Sequence, residues 1–211
     1  MAGLDVKPVD ALSADQRDRV RLIYEGAFGA GLRVPFGELT TQGDADQTFV
    51  ALRDQVPAGF AALRLLGSVE WSFLRYFAIA GDRRSQGLGR QFWPLVRDSL
   101  RDQDWPARVV FEVEHPAEAA DDEPERVIRD RRIRFWSACG ASLLPAPGYI
   151  APDYTGSGMT EPMLLMAAFP PATPAAQGDR LRRLVLAIYT DRYGLAPDDP
   201  LVSRALASIP A

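Results

Sequence analysis

One short segment constrains this chain more than any other. Residues 76–90 read Tyr-Phe-Ala-Ile-Ala-Gly-Asp-Arg-Arg-Ser-Gln-Gly-Leu-Gly-Arg: an apolar strand-like run, then glycines and arginines, then a helix start. The helix is signalled by Leu88, Phe92, Leu95, Val96 and Leu100 at helical spacing. Gly87 and Gly89 let the backbone approach a ligand closely. The first amides of the helix lack intrahelical acceptors, and the helix dipole adds partial positive charge. Arg84 and Arg90 add full charge suited to a diphosphate. Arg84-x-x-Gly87-x-Gly89 therefore predicts an anion cradle. A dinucleotide-binding fold would set such a turn after its first strand, among parallel units, but the preceding runs here look like a meander. A phosphate-loop NTPase would need a Gly-Lys-Ser/Thr ending, which is absent.

The pattern around this segment alternates. Leu4–Val9 is a strand candidate, and Ser13 caps a helix carrying Val20, Ile23, Tyr24 and Ala27. Val34–Phe36 reads as a bent or irregular segment. Thr48–Leu52, Gly59–Leu66 and Trp71–Ala80 are strands. Pro94 should kink the helix after the cradle or loosen its first turns. Arg108–Glu114 is a strand, residues 126–139 a helix closed by Gly140, and Ser142–Tyr149 and Met163–Phe169 the last strands. This order predicts an α/β domain with a mixed, mostly antiparallel sheet and helices on both faces, over residues 1–169. Residues 170–211 form a proline-rich connector and a helical tail, with Leu181, Leu184, Val185, Ile188 and Tyr189 as its apolar stripe.

Composition removes several function classes. Cys139 and His115 are the single cysteine and histidine, which excludes an intrachain disulfide and a cysteine- or histidine-built metal centre, so no metal is expected. A net charge of −4 argues against a nucleic-acid partner. No apolar run approaches the ~20 residues of a membrane span, and Met1–Asp10 lacks a signal-peptide core, so no membrane partner and a cytoplasmic address are expected.

With Arg84, Gly87 and Gly89 after the fourth strand, and Arg134-Phe135-Trp136-Ser137-Ala138-Cys139-Gly140-Ala141 closing a later helix, the sequence resembles the GNAT (Gcn5-related N-acetyltransferase) family over roughly residues 4 to 169. The resemblance implies a GNAT-like sheet and acetyl transfer from acetyl-CoA to an amine. It implies that the pyrophosphate meets Arg84, Ser85, Gln86, Gly87, Leu88, Gly89 and Arg90. The pantetheine arm would lie along Phe77, Ile79 and Ala80, where splaying of the fourth and fifth strands opens a cleft. The family's usual thiolate acid is a tyrosine where this chain has Trp136, which then becomes a wall beside the cofactor.

Amine attack on a thioester needs a proton acceptor, a donor for the developing oxyanion, and sometimes an acid for the leaving thiolate. Glu112 and Glu114, two apart on one strand, share a face, and two like charges raise one pKa towards neutrality. Either is a candidate base; the bland alternative pairs both with arginines such as Arg53, Arg64 or Arg75. Tyr149 is a candidate acid, though a thiol of pKa about 8.5 leaves tolerably without one. His115 reads as a loop residue and Cys139 as a small buried hydrophobe. On the acceptor side the resemblance implies residues 28–39 and 150–161. Phe28, Phe36, Tyr149 and Tyr154 offer an aromatic wall, Glu70 is a weaker candidate, and the acidic stretch at 121–125 reads first as a helix start. A small-molecule amine is the expected partner, with a homodimer through the tail stripe as an open possibility. The rival from another class is an acyl-CoA-binding sensor or partner module without turnover.

Overall fold

A computed structural model describes residues 3–41, 43–119, 122–153, 160–170 and 176–210. The chain forms two compact units, Met1–Leu65 with Leu74–Ala107, and Leu66–Phe73 with Arg108–Ala211.

In the first unit β1 (Asp5–Pro8) pairs antiparallel with β2 (Asp46–Arg53). Between them Ser13 opens α1 (Ala14–Ala27): its hydroxyl accepts from the Gln16 amide at 3.2 Å, and the Gln16 side chain accepts from the Ser13 amide at 3.1 Å. Val34 and Pro35 are irregular, as expected, and the chain then winds into a short helix, α2 (Phe36–Thr40), which was not expected. β2 turns through Asp54 and Gln55, both at positive φ, into antiparallel β3 (Val56–Leu66), the backbone a tight hairpin requires. Next come β4 (Trp71–Ile79), the cradle, and α3 (Leu88–Asp102), which runs through Pro94 without a break. Phe92, Trp93, Val96 and Leu100 are buried along α3, and that burial offsets the amide donor lost at the proline. Val20, Ile23 and Tyr24 of α1 form this unit's core with Val50, Phe60, Tyr76 and Ala78.

β3 approaches β4 closely at Gly59. A Cβ there would meet Ala78 O at 2.6 Å and Ile79 Cδ1 at 2.7 Å, so a side chain must push apart the strand that leads into the cradle. Gly59→Ala is expected to lower stability by about 1–3 kcal/mol in urea unfolding, the usual cost of overpacking. An unchanged midpoint would show that this approach is not tight.

The second unit takes the start of β4. β5 (Val109–Glu114) pairs in parallel with β4 through Ser72↔Val109 and Phe73↔Val110, and antiparallel with β8 (Glu161–Ala168) over its whole length. β6 (Ala141–Leu143) and β7 (Ile150–Ala151) also pair antiparallel with β8, so the described sheet is mixed and mostly antiparallel, as expected. The single strand predicted over Ser142–Tyr149 is instead interrupted, because Pro145 and Pro147 cannot donate to a ladder. α4 (Glu123–Ala138) starts on Asp122, whose carboxylate accepts from the Glu125 amide at 3.0 Å, and ends before Gly140 at φ +84°. The acidic stretch thus serves a helix start; Asp121 lies outside the described residues.

The tail comprises α5 (Gly178–Ala187), a π-helical turn over Ile188–Arg192, and α6 (Pro200–Ser208). The predicted stripe is buried in one core with Leu66, Trp71, Phe73, Val110 and Leu165. α6 was not anticipated, although Asp199-Pro200 is a helix-start signal and the Asp199 carboxylate accepts from the Leu201 amide at 2.8 Å. No described helix is long and apolar enough to cross a membrane. Among the described residues no group of His, Cys, Asp or Glu could hold a metal ion.

Candidate active site

The cradle is built as its sequence demands. Gly87 caps α3 in the left-handed conformation, φ +76° and ψ 0°, and Ser85 also takes a positive φ of 61°. Among the described residues, no backbone amide from Ser85 to Gly89 donates to a protein acceptor; the next one, of Arg90, donates to Gly87 O at 3.1 Å. This run of unsatisfied donors at a helix N-terminus is a ready anion site. A Cβ on Gly87 would find only Gln91 Nε2, at 3.9 Å, so the space before the amides is open. Arg84 fixes its Nε on Ile79 O at 3.2 Å and stays exposed, as does Arg90. Asp82 receives both contacts of Arg19 at 3.1 Å, tying the loop to α1, and the Gln86 side chain donates from Nε2 to Asp82 O at 3.2 Å. Leu88 and Gly89 are buried, so they anchor the helix start rather than offer side chains.

β4 brings Phe77, Ile79 and Ala80 to the loop. The Phe77 ring stacks on Phe92 at 5.4 Å, and the Ala80 amide donates to Ala58 O at 2.9 Å. In the same unit Phe28 and Phe36 gather round Tyr24, with ring centroids 5.8 and 6.2 Å from it, and both remain half-buried. Tyr24 and Tyr76, read from the sequence only as parts of a helix and a strand, pin the segment beside them: Tyr24 donates to Val34 O at 3.0 Å, and Tyr76 donates to Leu32 O at 3.0 Å while accepting from the Val34 amide. Burial is the main reason the Tyr24 phenol is pushed well above its ordinary pKa. Glu70 precedes the start of β4 and meets Arg108 at 3.7 Å from an exposed position. Tyr154 lies outside the described residues.

The β5 carboxylates separate into different roles. Glu114 forms an ion pair with Arg132 of α4. Among the described residues Glu112 has no ion pair: its Oε1 accepts from the Tyr149 hydroxyl at 2.5 Å, and the Tyr193 hydroxyl stands 2.8 Å from both carboxylate oxygens. Burial raises the Glu112 pKa, outweighing the phenol hydrogen bonds and Arg192, which lower it. The carboxylate that adds to the rise is Glu161, not Glu114, which corrects the expectation of a pair of like charges on β5. Of the arginines named as alternatives, Arg64 and Arg75 both pair with Asp46. Tyr149 is almost wholly buried, and burial together with Glu112 holds its phenol well above the ordinary value.

Tyr193 is the residue that sequence reasoning missed. Its signal was its place four after Tyr189 and just before Gly194, at the end of the stripe. Trp136 is buried against Phe111, with ring centroids 4.4 Å apart. Phe111 alternates with Glu112 along β5, so Trp136 packs on the face away from the carboxylate. His115 sits at the strand exit as expected, its Nδ1 accepting from the Ala117 amide at 3.0 Å. Cys139, expected to be buried, is half-exposed at the end of α4, where the helix stops before Gly140.

Residues 17–126, more than half of the chain, match the sequence profile described as the Acetyltransferase (GNAT) family. No curated protein sequence matches. Among solved structures, a Bacteroides thetaiotaomicron chain described as a GNAT-family acetyltransferase superposes with a TM-score of 0.69 at 19% identity, over 91% of this chain and 99% of that one. An aminoglycoside 6'-N-acetyltransferase complexed with coenzyme A gives 0.53 at 14% identity, covering 81% of this chain and 99% of its own. A variant of Vibrio cholerae spermidine N-acetyltransferase also gives 0.53 at 14%, covering 78% and 92%. At such identities the likeness is one of fold.

Proposed function

The chain belongs to the GNAT acetyltransferase family, whose acyl donor is acetyl-CoA, and from that premise we propose an N-acetyltransferase that acts on a small-molecule primary amine in a ternary complex. The observation that carries this reading is the stretch of undonated amides from Ser85 to Gly89, with Gly87 in the left-handed conformation and open space before it. That geometry fits a pyrophosphate, and Arg84 and Arg90 would add charge on either side. The backbone of Phe77 to Ala80 would take the pantetheine arm, with Trp136 as a wall beside the cofactor. Bound acetyl-CoA would supply an acyl carbon to which the amine nitrogen bonds as the carbon–sulfur bond breaks.

Glu112 is the proposed base, taking a proton from the ammonium through a water. Its raised pKa keeps it basic enough for that step, whereas Glu114 is already committed to Arg132. Tyr149 has a different proposed part from that of thiolate acid. A phenol held well above its ordinary pKa gives up its proton reluctantly, and its hydrogen already points at Glu112. We assign it to holding that carboxylate; a thiolate of pKa about 8.5 needs no acid to leave. Phe28 and Phe36 are the proposed acceptor wall. The names of the aminoglycoside and spermidine enzymes support a small cationic amine, and the net charge of −4 favours its approach.

The test is release of free CoA thiol from acetyl-CoA in the presence of a polyamine, an aminoglycoside or a peptide N-terminus. Amine-dependent release supports the reading. Tight binding of acetyl-CoA without release for any amine would favour the acyl-CoA-binding module, to which Trp136 at the family's acid position also points.

A further inference from the structure

We infer that the C-terminal tail is part of the active site: Tyr193 is a positioning residue that orients the Glu112 carboxylate and sets its proton affinity. This rests on the reading of Glu112 as the proton acceptor.

The geometry is specific. The Tyr193 hydroxyl lies 2.8 Å from both Glu112 oxygens, so one O–H proton is shared across the carboxylate, while Tyr149 donates to Oε1 at 2.5 Å. Two donors leave the ionised group little rotational freedom. Tyr193 is itself held: the Arg192 guanidinium lies 4.9 Å over its ring, and the Phe73 ring meets it edge-on at 6.5 Å. The turn that carries it is tied down at alternate residues. Tyr189 donates to Ile150 O at 2.9 Å, and Asp191 accepts from the Ser68 amide at 3.0 Å and from the Ser68 hydroxyl at 2.8 Å. Gly194, at φ +69°, then stops the helix, its amide donating to Thr190 O at 3.1 Å. Tyr189, Asp191 and Tyr193 thus reach β7, the turn before β4 and β5 respectively. Docking of the tail and the environment of the carboxylate are one arrangement. A tail that only filled a core would need the apolar stripe and none of these polar ties.

Among the described residues, the groups facing Glu112 are Tyr149, Tyr193, Arg192 and Glu161, and Tyr189 also feels its charge. A hydrogen bond to the charged form favours that form, so loss of the Tyr193 hydroxyl should raise the Glu112 midpoint. The experiment is carbon-13 NMR of glutamate-labelled protein, with the Glu112 resonance assigned by its loss in Glu112→Gln. Tyr193→Phe is expected to raise the midpoint by about one pH unit, and Tyr189→Phe, whose hydroxyl bonds Ile150 and not the carboxylate, to move it by much less. If Tyr193→Phe does not fold, 3-fluorotyrosine at position 193, a stronger donor of almost the same size, should lower the midpoint instead. In turnover of any accepted amine, Tyr193→Phe should lower kcat, leave KM for acetyl-CoA unchanged and move the acidic limb of the pH profile with the NMR midpoint. A midpoint unmoved by Tyr193→Phe or by the fluorinated residue overturns the inference. A midpoint that moves while Glu112→Gln retains full turnover overturns the base reading and leaves the control of Glu112 by Tyr193 standing.

Discussion

Gly87→Asp is expected to weaken acetyl-CoA and CoA binding by about a thousandfold in calorimetric titration, and the double variant with Arg84→Ala to remove measurable binding. Several terms act together. The carboxylate would stand before amides that donate to no protein acceptor, replacing an attraction worth up to ~2 kcal/mol at a helix N-terminus by a repulsion of similar size. Together these come to about 4 kcal/mol, a thousandfold in Kd. The backbone adds little strain although Gly87 sits at φ +76°, because aspartate, like asparagine, can adopt the left-handed conformation. Gly87→Asn isolates the charge: asparagine tolerates the left-handed conformation and carries no charge, so its binding should stay within about tenfold of wild type. Packing will not confuse the result, since the nearest atom to a Cβ there is Gln91 Nε2 at 3.9 Å. If Gly87→Asp binds as wild type does, the cradle is not the phosphate site. Should wild type bind neither ligand, the family membership stands while the acetyl-transfer reading falls.

The cradle was legible in the sequence because every determinant of it is local: an apolar strand, glycines at fixed spacing and a helix start within fifteen positions. The Ser13 cap and the Gly140 stop were legible for the same reason. Prolines were harder to weigh. Pro94 was expected to disturb α3, yet the buried side of that helix held it, whereas Pro145 and Pro147 did interrupt a strand because edge pairing offered no such compensation. Long-range partners were not legible at all. Alternation placed Glu112 and Glu114 on one face but could not say that one would meet Arg132 and the other a pair of phenols. Tyr193 is 81 positions from Glu112, and only the docking of the tail into the core with Leu66, Phe73 and Val110 brings them together. An apolar stripe announces that a helix will be buried; it does not announce what the polar residue at its end will touch.

Glu112→Gln should lower kcat by about a hundredfold to ten-thousandfold, the range for a lost general base, while KM for acetyl-CoA changes little. The pH behaviour gives the stricter test. A base works only when ionised, and burial raises the Glu112 pKa, so wild-type kcat should climb as pH rises through that raised value. The climb should vanish in the glutamine variant. Stability should respond in the opposite sense. A carboxyl whose folded pKa is raised contributes stability below the ordinary carboxylate range and loses it as pH rises through the folded value. Glutamine keeps the volume, accepts from a phenol through its amide oxygen and never ionises. Thermal unfolding should therefore show the variant gaining on wild type as pH increases, an active site held at some cost to stability. Glu114→Gln is the matched control: it breaks only the ion pair with Arg132 on the partly exposed end of β5, and kcat should stay within about fivefold. Full activity in Glu112→Gln beside a large loss in Glu114→Gln would move the base two residues along the strand, and would leave the paired phenols as a purely structural means of satisfying a buried carboxyl.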